Sequence, residues 1–271
     1  MIEVHRKGFS IHVYEDSRPH YYKSTGIQKG LILVHNDQEV SGEGIGFGAP
    51  VVKYRDKTYF PRDATLTVLE ENDVTYIVKE FEINSVFRVK ILGKHIKSPI
   101  FYSVTEFFSK VHREHKSIRW LLDIILAIVR KTMGHPADLV MTSQKGRITV
   151  SCQVRDDSIF VRVDSTKLDK TDCEEICIMN EQGAEFFRKY TDTDGLTLVD
   201  DQIPSWEKVQ AKEARFSDIQ DRIGFELSNI SGVSLYLGRE RFEGHLAWAG
   251  FAYAVPPEID VFEYTIKLLG K

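Results

Sequence analysis

The sequence predicts a mainly β fold: a large antiparallel β-sandwich with one long central helix around residues 104–133. Three observations support this prediction. Short runs of alternating polar and apolar residues occupy both ends of the chain, β-branched and aromatic residues dominate them, and one apolar stretch between them repeats at helical spacing. With 271 residues, 42% of them hydrophobic, the chain can bury a substantial core. We therefore expect a single domain over residues 1–271, β-rich in 1–100 and 140–271.

The first hundred residues consist of predicted strands separated by turn residues. Asn36–Asp37 and Asn72–Asp73 are residue pairs that favour tight turns. Runs at this spacing favour a sandwich or a barrel over alternating strands and helices. The predicted strands are Ile2–His5, Phe9–Tyr14, Gly30–His35, Pro50–Tyr54, Thr58–Phe60, Thr65–Leu69, Val74–Phe81 and Ser85–Leu92.

Four glycines, Gly42, Gly44, Gly46 and Gly48, occupy every second position of one stretch. On a strand they would leave one face bare, which admits another backbone, an aromatic ring or a flat ligand. Close packing and a ligand platform built on Gly44, Gly46 and Gly48 are therefore both open. The glycines lead into further strands rather than into a helix, which argues against a dinucleotide site, and no cofactor is predicted.

The predicted helix begins near Ser103, where Ser103 and Glu106 have the spacing of a capping box. Apolar residues then recur at helical spacing, and Gly134 with Pro136 predicts the end of the helix. Residues 99–108 are also β-rich, so strand remains an alternative for the first turns.

The apolar run Ile118–Val129 is too short for a membrane span. A span needs about 18 to 20 uninterrupted apolar residues, and Arg119 and Asp123 interrupt this run. Apolar residues lie on more than one side of the helix. We therefore expect it to pack across the sheet, with a contact between two copies of the chain, a homodimer, as an open alternative.

Composition excludes other classes. The formal charge of −4 and the pI near 6.2 provide no basic field for a polyanion, so nucleic-acid binding is not expected. The N-terminus alternates polar with apolar residues and lacks the apolar core of a signal peptide, which predicts a cytoplasmic protein. Three cysteines are too few for a disulfide framework.

After the helix the β pattern returns, with a predicted turn at Glu181–Gly183. Pro204–Arg222 has loose helical spacing among many charges, which predicts a surface helix or a long ordered loop. The predicted strands are Arg147–Arg155, Ser158–Asp164, Glu175–Asn180, Ala184–Tyr190, Val233–Arg241, His245–Val255 and Val261–Leu268.

The first group of candidate site residues lies in a predicted hairpin that turns at Glu243–Gly244. If that register holds, Arg239 faces Trp248 across the strands, where a cation–π contact is plausible. Arg239, Arg241 and Trp248 are candidate ligand-binding residues. A carboxylate and a histidine can move protons at neutral pH, so Glu243 and His245 are candidate catalytic residues.

Two further groups are weaker candidates. Asp200 and Asp201 are paired carboxylates in a loop, and such pairs can divide acid and base roles when their environments differ. His112 and His115 lie three apart on the predicted helix and could ligate a metal, although their spacing matches no zinc-protease motif. A charged loop and a charged helix face are the simpler interpretations, and no metal is predicted.

Three segments, HLAWAGFAYAVPPEIDVFEYTIKL, GFGAPVVKY and NEQGAEFF, resemble the antiparallel sandwiches related to galactose mutarotase and the sugar-processing supersandwich domains. The resemblance implies carbohydrate binding or processing on a concave sheet face, and it leaves open whether the chain is an enzyme. Two alternatives remain: a noncatalytic structural or interaction protein that associates through the apolar helix, and a protein that binds an apolar ligand.

Overall fold

The structure is a computed structural model that describes residues 1–6, 8–15, 27–42, 44–55, 58–71, 74–91, 94–95, 138–242 and 245–270. The chain divides into two compact units. The first contains Met1–Asn84 and Gln144–Lys271, and the second contains Ser85–Ser143. In the second unit, the end of one long strand pairs with a two-residue strand, so that Lys90 lies opposite His95. All side chains discussed below belong to the first unit.

Nineteen strands are present in the described ranges. They are β1 Ile2–Arg6, β2 Phe9–Val13, β3 Ile32–His35, β4 Gln38–Glu39, β5 Gly46–Tyr54, β6 Thr58–Glu71, β7 Val74–Ile91, β8 Lys94–His95, β9 Asp138–Val154, β10 Ser158–Asp164, β11 Cys173–Gln182, β12 Lys189–Asp192, β13 Thr197–Val199, β14 Glu207–Lys208, β15 Glu213–Ser217, β16 Ile223–Ser228, β17 Ser234–Phe242, β18 His245–Val255 and β19 Val261–Gly270. A 3-10 helix occupies Asp200–Gln202.

The strands form a small sheet and a large folded one. Strands β1 to β4 pair in chain order, and the large sheet has the order β13-β12-β15-β16-β19-β10-β9-β7-β6-β5-β11-β18-β17-β14, with β8 beside β7. We call β5, β11, β18, β17 and β14 the first layer, and the strands from β13 to β6 in that order the second layer. Strand β6 joins them, because Tyr59 pairs with Val52 of β5 whereas Phe60 pairs with Asn84 of β7. A register shift at Pro61–Asp63 follows this change of partner, as is common where a strand moves between layers.

The core lies between these two layers and is rich in aromatic rings. Phe251 of β18 contacts Phe216 and Phe225 of the second layer, with ring centroids 4.9 and 5.9 Å apart. Phe47 of β5 reaches the same Phe225 at 5.0 Å. These four rings are fully buried. Edge-to-face packing of this kind adds roughly 0.5 to 1.5 kcal/mol per pair to the free energy of area burial.

The predicted sandwich agrees with the structure, but the predicted central helix is wrong as part of the fold class. Side chains of the two layers contact each other directly, so they fill the core without a helix between them. Regular structure in the described residues is strand apart from the 3-10 helix, and no helix there has the length and apolar composition needed to cross a membrane. Residues 104–133, where the helix was predicted, lie outside the described residues.

Three local predictions also need correction. The expected strands Thr58–Phe60 and Thr65–Leu69 are one strand, β6, because bulging lets it pass through Pro61. Glu181–Gly183 was predicted as a turn, yet β11 runs to Gln182. Pro204–Arg222, predicted as helix or loop, contains the strands β14 and β15. In β15, the alternate residues Ala214 and Phe216 are buried in the core.

Candidate functional site

A cavity of about 560 Å³ lies on the first layer, on the face opposite the core. We call this face the cavity face and the other the core face. Alternate residues of β11 illustrate the division, because Cys177, Met179 and Glu181 line the cavity whereas Ile176 and Ile178 belong to the core. The volume falls in the range of small-molecule sites in proteins, which is roughly 300 to 1,000 Å³.

The first-layer strands form the floor of the cavity, which Ala252 and Ala254 line, and a row of glycines lies beside it. One cross-strand row consists of Gly46 of β5, Glu181 of β11, Gly250 of β18 and Gly238 of β17. Glu181 is thus the only side chain beyond hydrogen in that row. A Cβ atom at Gly250 would lie 2.2 Å from the backbone oxygen of Asn180, so close backbone approach requires glycine there.

Glu181 is the buried carboxyl of this floor, with 4% of its surface exposed. One oxygen, Oε2, accepts a hydrogen bond of 3.4 Å from the backbone N–H of Ile45. The pKa of Glu181 is raised to about 8, chiefly by burial; the Ile45 N–H bond and the charge of Lys29 oppose the rise, and the charge of Glu240 adds to it. Glu181 can therefore hold a proton, and donate it, near neutral pH.

The two neighbours of Glu181 brace the sheet from the core face. The Asn180 Oδ1 atom accepts hydrogen bonds from the Gly48 N–H at 3.2 Å and from the Tyr264 hydroxyl at 2.9 Å. Gln182 bonds the backbone of both Leu31 and Leu33, each at 3.3 Å. All three residues from Asn180 to Gln182 are buried, so two amides satisfied by the backbone fix the direction of the carboxyl between them.

A β-bulge sets this alternation. Strands β5 and β11 shift register between Met179 and Asn180, and Gly48 is the extra residue. Gly48 has a φ of +76°, a conformation that side chains rarely adopt. The bulge lets Phe47 point into the core while Ala49 lines the floor beside Met179.

Two tryptophans form one wall of the cavity. The rings of Trp206 and Trp248 lie 4.7 Å apart at an interplanar angle of 36°. A Cβ atom at Gly238 would lie 3.0 Å from the Trp206 nitrogen and 3.1 Å from the Trp248 ring, so the missing side chain makes room for both. Trp206 has a φ of +58°, which is unusual for a bulky residue and indicates that the surrounding contacts hold it in place.

An ion-pair cluster anchors the loop that carries Trp206. Arg188 donates two hydrogen bonds to Asp200, at 2.8 and 2.7 Å. The buried Arg239 guanidinium lies 3.3 Å from Asp200 and 3.5 Å from Asp201. The backbone N–H of Arg239 also donates a hydrogen bond to the Pro204 carbonyl, at 3.0 Å. In this arrangement the paired aspartates hold the loop below the tryptophans.

The pairing of the two hairpin strands differs by one residue from the predicted register, and this separates the candidate residues Arg239 and Trp248. Glu240, not Arg239, lies opposite Trp248, because a bulge follows Glu240. Trp248 therefore lines the cavity, whereas Arg239 points to the core face and the aspartate cluster. Residues 241 and 245 lie in β17 and β18 with their backbone alone described, and residue 243 lies outside the described residues.

The glycine stretch forms a strand only from Gly46 onward. Gly44 precedes β5 and bonds the Ser41 carbonyl at 2.8 Å. A Cβ atom at Gly46 would lie 2.6 Å from the Leu31 oxygen, and one at Gly48 would lie 3.2 Å from a Val150 methyl. The three positions are thus closely approached by protein atoms.

The metal candidates His112 and His115 lie outside the described residues. Within the part of the chain that is described, no group of three or more His, Cys, Asp or Glu side chains could hold a metal ion.

Glu181 and Trp206 were not among the candidate site residues inferred from the sequence. The signal for Glu181 was present, since three consecutive polar residues directly follow the apolar run Ile176–Met179. Polar runs usually indicate turns, which is why the segment was assigned to one. Only the cross-strand partners show that these polar groups are buried and satisfied.

No protein-family model and no curated protein sequence matches the chain. Among solved structures, an α-N-acetylgalactosaminidase from Bifidobacterium bifidum in complex with GalNAc is similar over 100% of this chain, with a TM-score of 0.54 and 8% identity. The chain shares its β-sandwich fold with part of that structure. It spans about a third of the length of that enzyme, 36%. The structural similarity confirms the fold implied by the resemblance inferred from the sequence.

A galactose mutarotase-like protein from Lactobacillus casei is also similar, with a TM-score of 0.42 and 9% identity over 99% of both chains.

Proposed function

We propose that the chain binds a carbohydrate in the cavity of the first layer. The observation that supports this most directly is the combination of a buried carboxyl, Glu181, with two tryptophan rings in one cavity of about 560 Å³. Aromatic rings offer flat apolar surfaces, and a few polar groups in an otherwise apolar pocket fix a ligand's orientation. The sandwich fold shared with a sugar-processing enzyme supports the same proposal.

Glu181 is the residue that we expect to contact the sugar's polar groups. A carboxyl group with a pKa of about 8 donates a hydrogen bond when protonated and accepts when ionised, so it suits hydroxyl groups. Trp206, Trp248 and Tyr236, which line the same cavity, would contact the ring faces. Of the sequence candidates, Trp248 keeps this binding role, and Asp200 with Arg239 supports it by anchoring the loop.

An apolar small molecule is the second candidate. Ile27, Ile45, Val51 and Met179 also line the cavity, and apolar side chains dominate its surface. Such a ligand would need no hydrogen bond from Glu181, so the two candidates differ in their dependence on that carboxyl. The interaction-protein alternative rests on residues 104–133, outside the described ranges.

Calorimetric titration with a sugar panel tests the proposal. The panel contains glucose, galactose, N-acetylgalactosamine and their oligosaccharides, with a medium-chain fatty acid as the apolar probe. A sugar at a hundred times its dissociation constant should stabilise the protein by about 2.7 kcal/mol, which a thermal-shift assay detects. Trp206→Ala should weaken sugar binding at least tenfold, because stacked aromatic residues contribute strongly to such sites.

Phe160→Ala is the matched control, because Phe160 is a half-buried aromatic residue on β10 of the second layer. It should leave sugar affinity unchanged. Unchanged affinity in folded Trp206→Ala would reject this cavity as the sugar site. Binding of the fatty acid with no binding of any sugar would favour the second candidate instead.

A further inference from the structure

Three carboxyl groups and two ammonium groups lie around the cavity. Glu181 and Glu175 line it, and Glu240 of β17 acts on Glu181 through space. The basic groups are Lys29, which acts on Glu181, and Lys53 on the lining.

Two of these lining charges already have partners within the chain. Lys53 is exposed, and its ammonium lies 3.4 Å from Glu174, which reduces its effect on the cavity. Glu175 accepts a hydrogen bond of 3.1 Å from the Cys177 thiol. When Glu181 ionises, the cavity therefore has an excess of negative charge in a poorly solvated position.

The aromatic wall adds a second attraction for positive charge. The faces of tryptophan and tyrosine rings are electronegative and attract ammonium groups placed over them. Trp206, Trp248 and Tyr236 line the same cavity as the Glu181 carboxyl. A cation in this cavity would meet ring faces and a carboxylate together, and both interactions strengthen where water is excluded.

We infer that the carbohydrate this cavity takes is an amino sugar with a free ammonium group, held by the Glu181 carboxylate and the tryptophan faces. This inference rests on the proposed function and specifies its ligand class. Neutral sugars would leave the Glu181 carboxyl protonated, and uronic acids would place a second negative charge beside Glu240. The expected order of affinity is amino sugar, then neutral sugar, then uronic acid.

Binding of an amino sugar is coupled to the protonation of Glu181. Burial raises the pKa of Glu181 to about 8, so the free protein holds a proton there at neutral pH, whereas the ammonium ligand pairs with the ionised form. Binding must then release a proton. Affinity for the amino sugar should rise about tenfold per pH unit between about pH 5.5 and 7, where an amine of ordinary pKa remains charged.

Calorimetry with glucosamine and galactosamine, each compared with its neutral parent sugar and with the corresponding uronic acid, tests this at several pH values. Titrations in buffers of different ionisation enthalpy count the protons released, and we expect about one per complex at pH 6 to 7. Glu181→Gln should abolish both the proton release and the pH dependence. Its amide oxygen can still accept the Ile45 N–H bond, so the variant should fold, which its melting temperature checks.

Glu263→Gln is the control, because it removes the same charge from an exposed position of β19 in the second layer, where Glu263 pairs with Arg162. It should retain the preference for amino sugars. Neutral sugars that bind as tightly as amino sugars, with no proton release, would overturn the inference and leave the proposed function standing. Failure of every sugar to bind would instead overturn the proposed function, and the inference with it.

Discussion

The two faces of the first layer are built from the same strands but have opposite character. On the core face, Phe47 and Phe251 interlock with rings of the second layer. On the cavity face of β18, Trp248, Ala252 and Ala254 line the cavity, and Gly250 carries no side chain. Phe251 lies between Gly250 and Ala252, so the contrast arises between adjacent residues of one strand.

The difference shows how one strand can serve stability and binding at once. Because side chains alternate along β18, Phe251 and Tyr253 fill the core while Ala252 and Ala254 line the cavity. Polar residues divide in the same way, since Asn180 and Gln182 are satisfied by the chain itself whereas Glu181 is directed at the cavity. Substitutions on the two faces should therefore have separable effects.

The largest expected effect concerns the pH dependence of stability through Glu181. The folded protein raises the pKa of this carboxyl from an ordinary value of 4.5 to about 8, so it binds the proton more tightly than the unfolded chain does. Its contribution to the free energy of unfolding is fully present below pH 4.5 and is lost as pH rises to about 8. At about 1.36 kcal/mol per pKa unit, the loss is about 5 kcal/mol.

Urea unfolding of the wild type and Glu181→Gln from pH 4.5 to 8 measures this loss as a difference between two curves, which cancels the other titrating groups. The buried Lys79 affects stability in a different pH range. Burial lowers its pKa to about 8, so its titration raises the free energy of unfolding only above that pH. Parallel curves for the two proteins would contradict the assignment of a raised pKa to Glu181.

A second prediction compares adjacent residues of β18. Phe251→Ala should lower the free energy of unfolding by about 3 to 5 kcal/mol, because it removes a fully buried ring and leaves a hole in the core. Ala252→Phe should change it by less than about 1 kcal/mol, since the new ring can occupy the cavity. The same substitution should abolish ligand binding.

Chemical denaturation and sugar titration of both variants make this comparison. Equal destabilisation by Ala252→Phe and Phe251→Ala would show that the cavity face is packed as tightly as the core face, contrary to the structure.

The smallest expected effect concerns the loop that carries Trp206. Asp200→Asn weakens the ion pairs with Arg188 and Arg239 but keeps an oxygen acceptor and tolerates the positive φ of +50°. We expect a loss of about 1 kcal/mol in stability and a several-fold loss of sugar affinity. Tryptophan fluorescence should change with it, because the Trp206 ring lies against Trp248.

Asp201→Asn is the paired variant, since Asp201 is mostly exposed and lies farther from Arg239. It should have the weaker effect of the two. If both variants match the wild type in fluorescence and affinity, the aspartates do not position the wall.

Much of the sandwich could be predicted from the sequence, because alternation of apolar and polar residues reports directly on strands such as Ser158–Asp164. The site could be predicted only in part. Trp248 was identified as a binding residue, but the residue opposite it on β17 was not. A bulge after Glu240 shifts the pairing of the two strands by one residue, so that Glu240 lies opposite Trp248. Bulges depend on long-range partners that local patterns do not contain.

The glycine row also limits how the cavity can change over evolution. A side chain at Gly46 or Gly250 would meet backbone atoms at 2.6 and 2.2 Å, so mutation cannot readily reshape that part of the floor. Ala252 and Trp206 line the cavity and already carry side chains. Relatives with different ligand preferences should therefore diverge in the wall and in the alanine positions, with the same central glycines retained beneath them.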